Sequence, residues 1–154
     1  MSGFCGLYGV SNIRKSELER MLEKIRHRGP DEEAFFVNSG VGLAANTKLS
    51  EGGEKKRFKI CASEDGSKRI VFDGRIYNRD ELSEQMGLEE SNLKMDEDLI
   101  LHLYDRYQVE FLPKLNGEFS FVIYDSLLDQ IICARDRLGI KPFYYGDAKS
   151  NFVF

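Results

Sequence analysis

Cys5 has the most chemistry to offer in this chain, and what it can do depends on its backbone nitrogen. It lies in Phe4-Cys5-Gly6-Leu7-Tyr8-Gly9-Val10, an apolar run with two glycines that reads as a buried strand. Removal of Met1–Phe4 would leave the thiol beside a free α-amine of pKa roughly 8, a nucleophile carrying its own base. With Met1 or Ser2 still in place that nitrogen is an amide, which takes no proton, and Cys5 is an ordinary small core residue. Arg26-His27-Arg28-Gly29-Pro30-Asp31 is either a charged loop of fixed shape or a helix stop whose basic end suits the helix dipole. Asp73-Gly74-Arg75 is predicted to close a strand in a turn whose backbone N–H groups face a partner. His102 falls on a predicted helix, and Cys61 and Cys133 in predicted strands, so all three read as packing or surface residues.

These side chains need a scaffold, and hydrophobic periodicity outlines one. Ser16 is expected to cap a helix with Glu19 three residues on, and Leu18, Met21, Leu22 and Ile25 share its apolar face. Strands are predicted at Ala34–Val37 and Val41–Ala45 about Asn38-Ser39-Gly40, and at Phe58–Ala62 and Arg69–Phe72 about Glu64-Asp65-Gly66-Ser67. The charged, glycine-rich stretch Glu51–Arg57 between them reads as an exposed loop. Asn78 is expected to cap a helix from Arg79 to Met86, stopped by Gly87. A second helix runs from Asp96 to Tyr107, its acidic first turn suiting the dipole. Strands follow at Phe119–Tyr124, Gln130–Ala134, Phe143–Tyr145 and Phe152–Phe154. Short strands with tight turns favour antiparallel sheets, and the order of strands, helices and strands favours an α+β layered domain.

Composition narrows the function classes. The chain has 154 residues, 42% hydrophobic and 31% charged, which fits one folded globular domain. A net charge of −4 argues against a nucleic-acid binder that works by neutralising phosphates. Three scattered cysteines with no C-x-x-C pair fit reduced thiols in a cytosol, and two histidines leave no histidine-rich metal site. No apolar run is long enough to span a membrane, and the N-terminus lacks the regions of a signal peptide.

Five motifs occur in one order: Cys5-Gly6-Leu7-Tyr8-Gly9, Arg26-His27-Arg28-Gly29-Pro30-Asp31, Phe72-Asp73-Gly74-Arg75-Ile76-Tyr77-Asn78, Leu115-Asn116-Gly117-Glu118-Phe119-Ser120-Phe121, and Arg135-Asp136-Arg137-Leu138-Gly139-Ile140-Lys141-Pro142-Phe143-Tyr144-Tyr145. Together they resemble the N-terminal glutaminase domain of asparagine synthetase, a class II glutamine amidotransferase of the N-terminal-nucleophile hydrolase superfamily. The resemblance covers nearly the whole chain. It implies a four-layer α/β/β/α sandwich with two stacked antiparallel sheets. It also implies an ancestral chemistry, hydrolysis of the glutamine side-chain amide to release ammonia, with no cofactor in this domain.

That chemistry needs a thiolate, donors aimed at the developing oxyanion, a cation for the substrate carboxylate and an anion for its ammonium. The resemblance places the nucleophile at Cys5, an oxyanion N–H at Gly74 and an ammonium partner at Asp96. Three other positions depart from the family. Asp73 stands where an oxyanion Asn is expected, and an ionised carboxylate only accepts hydrogen bonds. Arg75 puts a cation where a Glu should meet the ammonium, and the two altered residues are expected to pair with each other. Lys48, in Lys48-Leu49-Ser50, replaces an arginine and loses its bidentate fork, while the family's nearby histidine appears as Asn46 or Ala45. Losing one oxyanion donor costs about 2.7–4 kcal/mol of transition-state stabilisation.

Three readings follow. One is a degenerate glutaminase domain, a pseudoenzyme kept as a structural or docking module, as in β-lactam synthetases. Another is an active glutaminase matured by removal of Met1–Phe4, with glutamine as its partner. A third is a small-anion site around Lys48, Arg75 and Arg28. The family's ATP-binding Ser-Gly-Gly-x-Asp-Ser loop does not occur, so a synthetase half is expected on a partner subunit, or the sequence is an excised domain. The apolar segment Asn151-Phe152-Val153-Phe154 is expected to form an exposed strand suited to docking a partner or a second copy. The charges of Arg135, Asp136, Arg137 and Lys141 are read as fixing the turn before Pro142, or as facing the synthetase half.

Overall fold

Alternation of apolar side chains decides which face each strand buries, and the register of the sheets follows from it. The computed structural model describes residues 2–9, 12–48, 60–88, 93, 95–148 and 151–154. Its strands are β1 (Ser2–Tyr8), β2 (Glu32–Asn38), β3 (Val41–Thr47), β4 (Cys61–Ala62), β5 (Lys68–Ile76), β6 (Gly117–Asp125), β7 (Gln130–Arg135), β8 (Gly146–Ala148) and β9 (Asn151–Val153). Its α-helices are α1 (Lys15–Lys24), α2 (Arg79–Met86) and α3 (Asp96–Tyr107). These elements form two compact units, Met1–Ile60 with Phe143–Phe154, and Cys61–Pro142. The predicted loop Glu51–Arg57 and the start of the strand predicted at Phe58 lie outside the described residues.

The first unit holds an antiparallel sheet in the order β2-β3-β1-β9-β8. Leu18 and Leu22 of α1 pack with Ile13, Ala44 and Cys5 on one face of it. Helix α1 starts two residues earlier than the Ser16 cap would allow, with Arg14 at the N-cap position. The Glu17 carboxylate accepts from the Arg14 N–H at 3.0 Å, so the reciprocal half of a capping box forms from Arg14. The strand predicted at Phe143–Tyr145 is not one. Phe143 stacks on Phe154 at 6.2 Å and Tyr145 on Phe152 at 5.7 Å, so ring packing holds this segment and pairing begins only at β8. Nor is the last strand exposed for docking: β9 lies between β1 and β8, and Gly6 and Phe154 exchange both backbone hydrogen bonds.

The second unit holds an antiparallel sheet in the order β4-β5-β6-β7. Ile70, Phe72 and Ile76 of β5 and Phe119, Phe121 and Ile123 of β6 bury against Leu99, Ile100, Leu103 and Tyr104 of α3. Residues 108–114 form a 3-10 turn that the sequence did not signal, and its Phe111 stacks on Phe121 at 6.2 Å. Asp73-Gly74-Arg75 is not a turn. Strand β5 continues through it to Ile76, with Gly74 opposite Phe119. Gly74 keeps φ at +150°, and a Cβ there would lie 2.1 Å from the Glu118 carbonyl oxygen, so only glycine fits the ladder at this point. Asn78 precedes α2, as expected, but its side chain does not cap it. It accepts from the Asn116 N–H at 2.9 Å and donates to the Lys114 carbonyl at 3.0 Å, tying α2 to the turn before β6.

The charged motif after β7 is organised by one buried carboxylate. Asp136 accepts from the backbone N–H groups of Leu138 (3.1 Å), Ile140 (2.9 Å), Lys141 (2.9 Å) and Phe119 (3.3 Å). Burial alone would raise its pKa, but the four donors outweigh burial and hold it below the ordinary range. Arg137 donates to the carbonyls of Leu115 and Pro113, and Arg135 donates to that of Gly139. The motif thus fixes the turn before Pro142, as read from the sequence.

Two predictions follow from these elements. Asp136→Asn places an NH2 group against two backbone donors, so it is expected to lower unfolding free energy by about 2–4 kcal/mol in urea titration at pH 7. Asp136 contributes stability above the ordinary carboxylate pKa, and that contribution is lost as pH falls below it. Glu97, in the first turn of α3, behaves oppositely. Burial, together with Asp96 and Asp98, raises its pKa from 4.5 to about 7. Its contribution is therefore present below pH 4.5 and lost as pH rises to about 7. Glu97→Gln should gain stability relative to the wild type between pH 5 and pH 8; an unchanged difference across that range would refute the assignment.

Candidate functional site

The sequence-predicted site residues divide between the units: Cys5 and Lys48 lie in the first, Asp73, Gly74, Arg75 and Asp96 in the second. In β1, Cys5 pairs with Ala44, and its side chain enters the apolar cluster beneath α1. Burial pushes its thiol up to about 12, so it stays protonated at neutral pH. The residues before it are part of the sheet. Ser2 pairs with Thr47, Gly3 with Asn46 and Phe4 with Ala45, and the Arg28 guanidinium donates to the Ser2 carbonyl at 3.0 Å. Gly6 faces β9 with both backbone groups, so strand alternation turns those of Cys5 toward β3.

The loop after α1 is held in place as a fixed shape. Residues 26–28 form a 3-10 turn, and Gly29 packs so closely on the β3 backbone that a Cβ would lie 2.4 Å from the Thr47 nitrogen. Asn46, fully buried in β3, donates to the Ile25 carbonyl at 3.2 Å, while its Oδ1 has no hydrogen-bond partner among the described residues. Lys48 follows β3 and is exposed.

In the second unit, Asp73, Arg75, Ser120 and Glu118 share the face of the sheet opposite the α3 core, since Asp73 lies opposite Ser120 and Arg75 opposite Glu118. The expected Asp73–Arg75 pairing is replaced. The Asp73 carboxylate lies 3.9 Å from the Lys141 ammonium, which is also 3.9 Å from Glu118. Spacing along β5 could place Asp73 beside Arg75 but could not show that a loop more than sixty residues later returns to it. Lys141 was legible only as part of a structural motif.

Gly74 presents its peptide to the side of β5 away from β6. Phe119, its cross-strand partner, exchanges both backbone groups with Asp136, its N–H to the carboxylate and its C=O from the Asp136 N–H at 2.8 Å. Opposed residues in an antiparallel ladder turn their backbone groups either toward or away from each other, so those of Gly74 point away from β6. Among the described residues β4 pairs on that side with Arg69 and Ile70, and the next N–H of the same parity, Ile76, is bound by Asp96 at 2.9 Å. Asp96 also pairs with Arg79 at 3.2 Å, so both its oxygens tie α3 to β5 and α2. Among the described residues no group of His, Cys, Asp or Glu is placed to hold a metal ion, and no helix is long and apolar enough to cross a membrane.

Comparison with known proteins identifies the family. The glutamine amidotransferase domain profile matches residues 1–154. A Methanocaldococcus jannaschii protein provisionally named asparagine synthetase (glutamine-hydrolyzing) 2 is 36% identical over 97% of this chain and 33% of its own. Asparagine synthetase (glutamine-hydrolyzing) 2 of Bacillus subtilis is 33% identical over 97% of this chain and 21% of its own. The Zea mays asparagine synthetase (glutamine-hydrolyzing) is 32% identical over 95% and 25%. The chain thus spans about a fifth to a third of the length of these relatives. In structure it is similar to glutamine phosphoribosylpyrophosphate amidotransferase from B. subtilis, with a TM-score of 0.73 at 17% identity over 99% of this chain and 41% of that one. That likeness shows the fold alone, the α+β, N-terminal-nucleophile-hydrolase type expected from the motifs. The chain belongs to the glutamine amidotransferase domain family, and within it to the asparagine-synthetase type.

Proposed function

We propose that this asparagine-synthetase-type domain has lost glutaminase activity and serves as a structural or docking module for an ATP-dependent synthetase polypeptide. The observation that carries the reading is the state of Cys5. Its nitrogen is an amide within β1, and its thiol is buried in an apolar cluster. A thiol held near pKa 12 needs a strong base to attack a carboxamide, and the amide nitrogen cannot serve as one. The second support is Asp73. A carboxylate at the oxyanion position only accepts, so it opposes the negative charge that amide hydrolysis develops. The lengths of the relatives support a synthetase polypeptide as the partner, since each carries a further two-thirds or more of chain beyond the match.

An active glutaminase, matured at Cys5, is the second reading. It is favoured by Gly74, at a position that matches the family, whose peptide points away from β6. Maturation would remove the pairs of Ser2, Gly3 and Phe4 with β3 and the contact of Arg28 with Ser2.

The readings separate in one assay. The chain carrying its first four residues is expected to release no ammonia from glutamine above the buffer rate, and a form prepared to begin at Cys5 is expected to melt at lower temperature. Glutamine turnover by the first form, or protein from the native host whose mass begins at Cys5, would overturn the proposal.

A further inference from the structure

The geometry points to Lys141 as a positioning residue for the Gly74 peptide, a role separate from that of holding its own turn. Its ammonium reaches Asp73 Oδ1 and Glu118 Oε1, each at 3.9 Å. Those two carboxylates flank the opposed pair Gly74 and Phe119, one on each strand. One cation therefore spans the β5–β6 ladder at the point where the backbone takes φ of +150°. The same segment also grips both backbone groups of Phe119 from the other side, through the carboxylate and the backbone N–H of Asp136. Asp73 lies opposite Ser120 and Glu118 opposite Arg75, so the two carboxylates are diagonal neighbours across the ladder, and Lys141 reaches both. The clamp sets the direction of the Gly74 N–H relative to β6, and does so whichever group meets that N–H. That this direction serves a bound carboxamide rests on the family reading above; the clamp itself does not.

The experiment reads the Gly74 amide directly, in the full chain, by two-dimensional nitrogen–proton NMR and hydrogen exchange. Lys141→Met is expected to move the Gly74 and Phe119 cross-peaks and to speed Gly74 exchange about tenfold. Lys141→Arg is expected to restore both, because a cation at that place bridges the same carboxylates. If Lys141→Met does not fold, Asp73→Asn and Glu118→Gln each remove one arm of the clamp and should move the same two cross-peaks. Changes confined to residues 136–141, or an arginine variant that behaves like methionine, would overturn the inference. Glutamine binding measured on the same samples separates the two ideas. A moved Gly74 peak without any glutamine binding in the wild type leaves the clamp standing and removes its catalytic meaning.

Discussion

The second unit depends on a buried anion. The Asp136 carboxylate gathers four backbone N–H groups, three from its own loop and one from β6. Desolvating a charge is strongly unfavourable unless its hydrogen-bonding capacity is filled, and here each oxygen accepts two bonds. The result is a loop with a single shape. That shape brings Lys141 back over the sheet and keeps the Phe119 backbone from bonding Gly74, whose peptide then points away from β6.

On the opposite face from the α3 core, charge is balanced locally. Asp73 and Glu118 are negative, Lys141 and Arg75 positive, and all four lie within two ladder steps of Gly74 or on the adjoining loop. An ion pair in such a half-buried place is weak evidence for stability, since desolvation offsets much of the attraction. It is stronger evidence for orientation, because each charge specifies where its partner must sit. A site built this way differs in kind from an oxyanion hole, where donors converge with no competing anion.

In the first unit, the electrostatics of Cys5 are set by neighbours that carry no charge. Ile13, Leu18, Leu22 and Ala44 exclude water from the thiol and leave the thiolate without stabilising dipoles. The three residues before it extend the same strand, so sheet pairing and access to the sulfur oppose each other. A nucleophile with its own amine requires the chain to start where this strand is still paired.

Sequence alone determined what periodicity and motif order can carry. Helices α2 and α3 run over the predicted residues because Gly87 and the acidic first turn of α3 mark boundaries locally. The family was legible because five motifs recur in order along the chain, which requires no knowledge of their contacts. The misses share a cause. Ser16, Asn78, the strand predicted at Phe143–Tyr145 and the turn predicted at Gly74 were each assigned from neighbours in sequence, yet their outcome was decided by groups elsewhere. Glu17 took the cap, Asn116 took the Asn78 side chain, and ring stacking replaced a ladder. At Gly74 the opposing strand β6 extended what looked like a turn. Tertiary structure alone decided that Asp73 meets Lys141, that Asp96 binds the Ile76 N–H and that Cys5 lies under α1, because the hydrophobic effect and long-range pairing set these contacts, and neither leaves a mark in residue spacing.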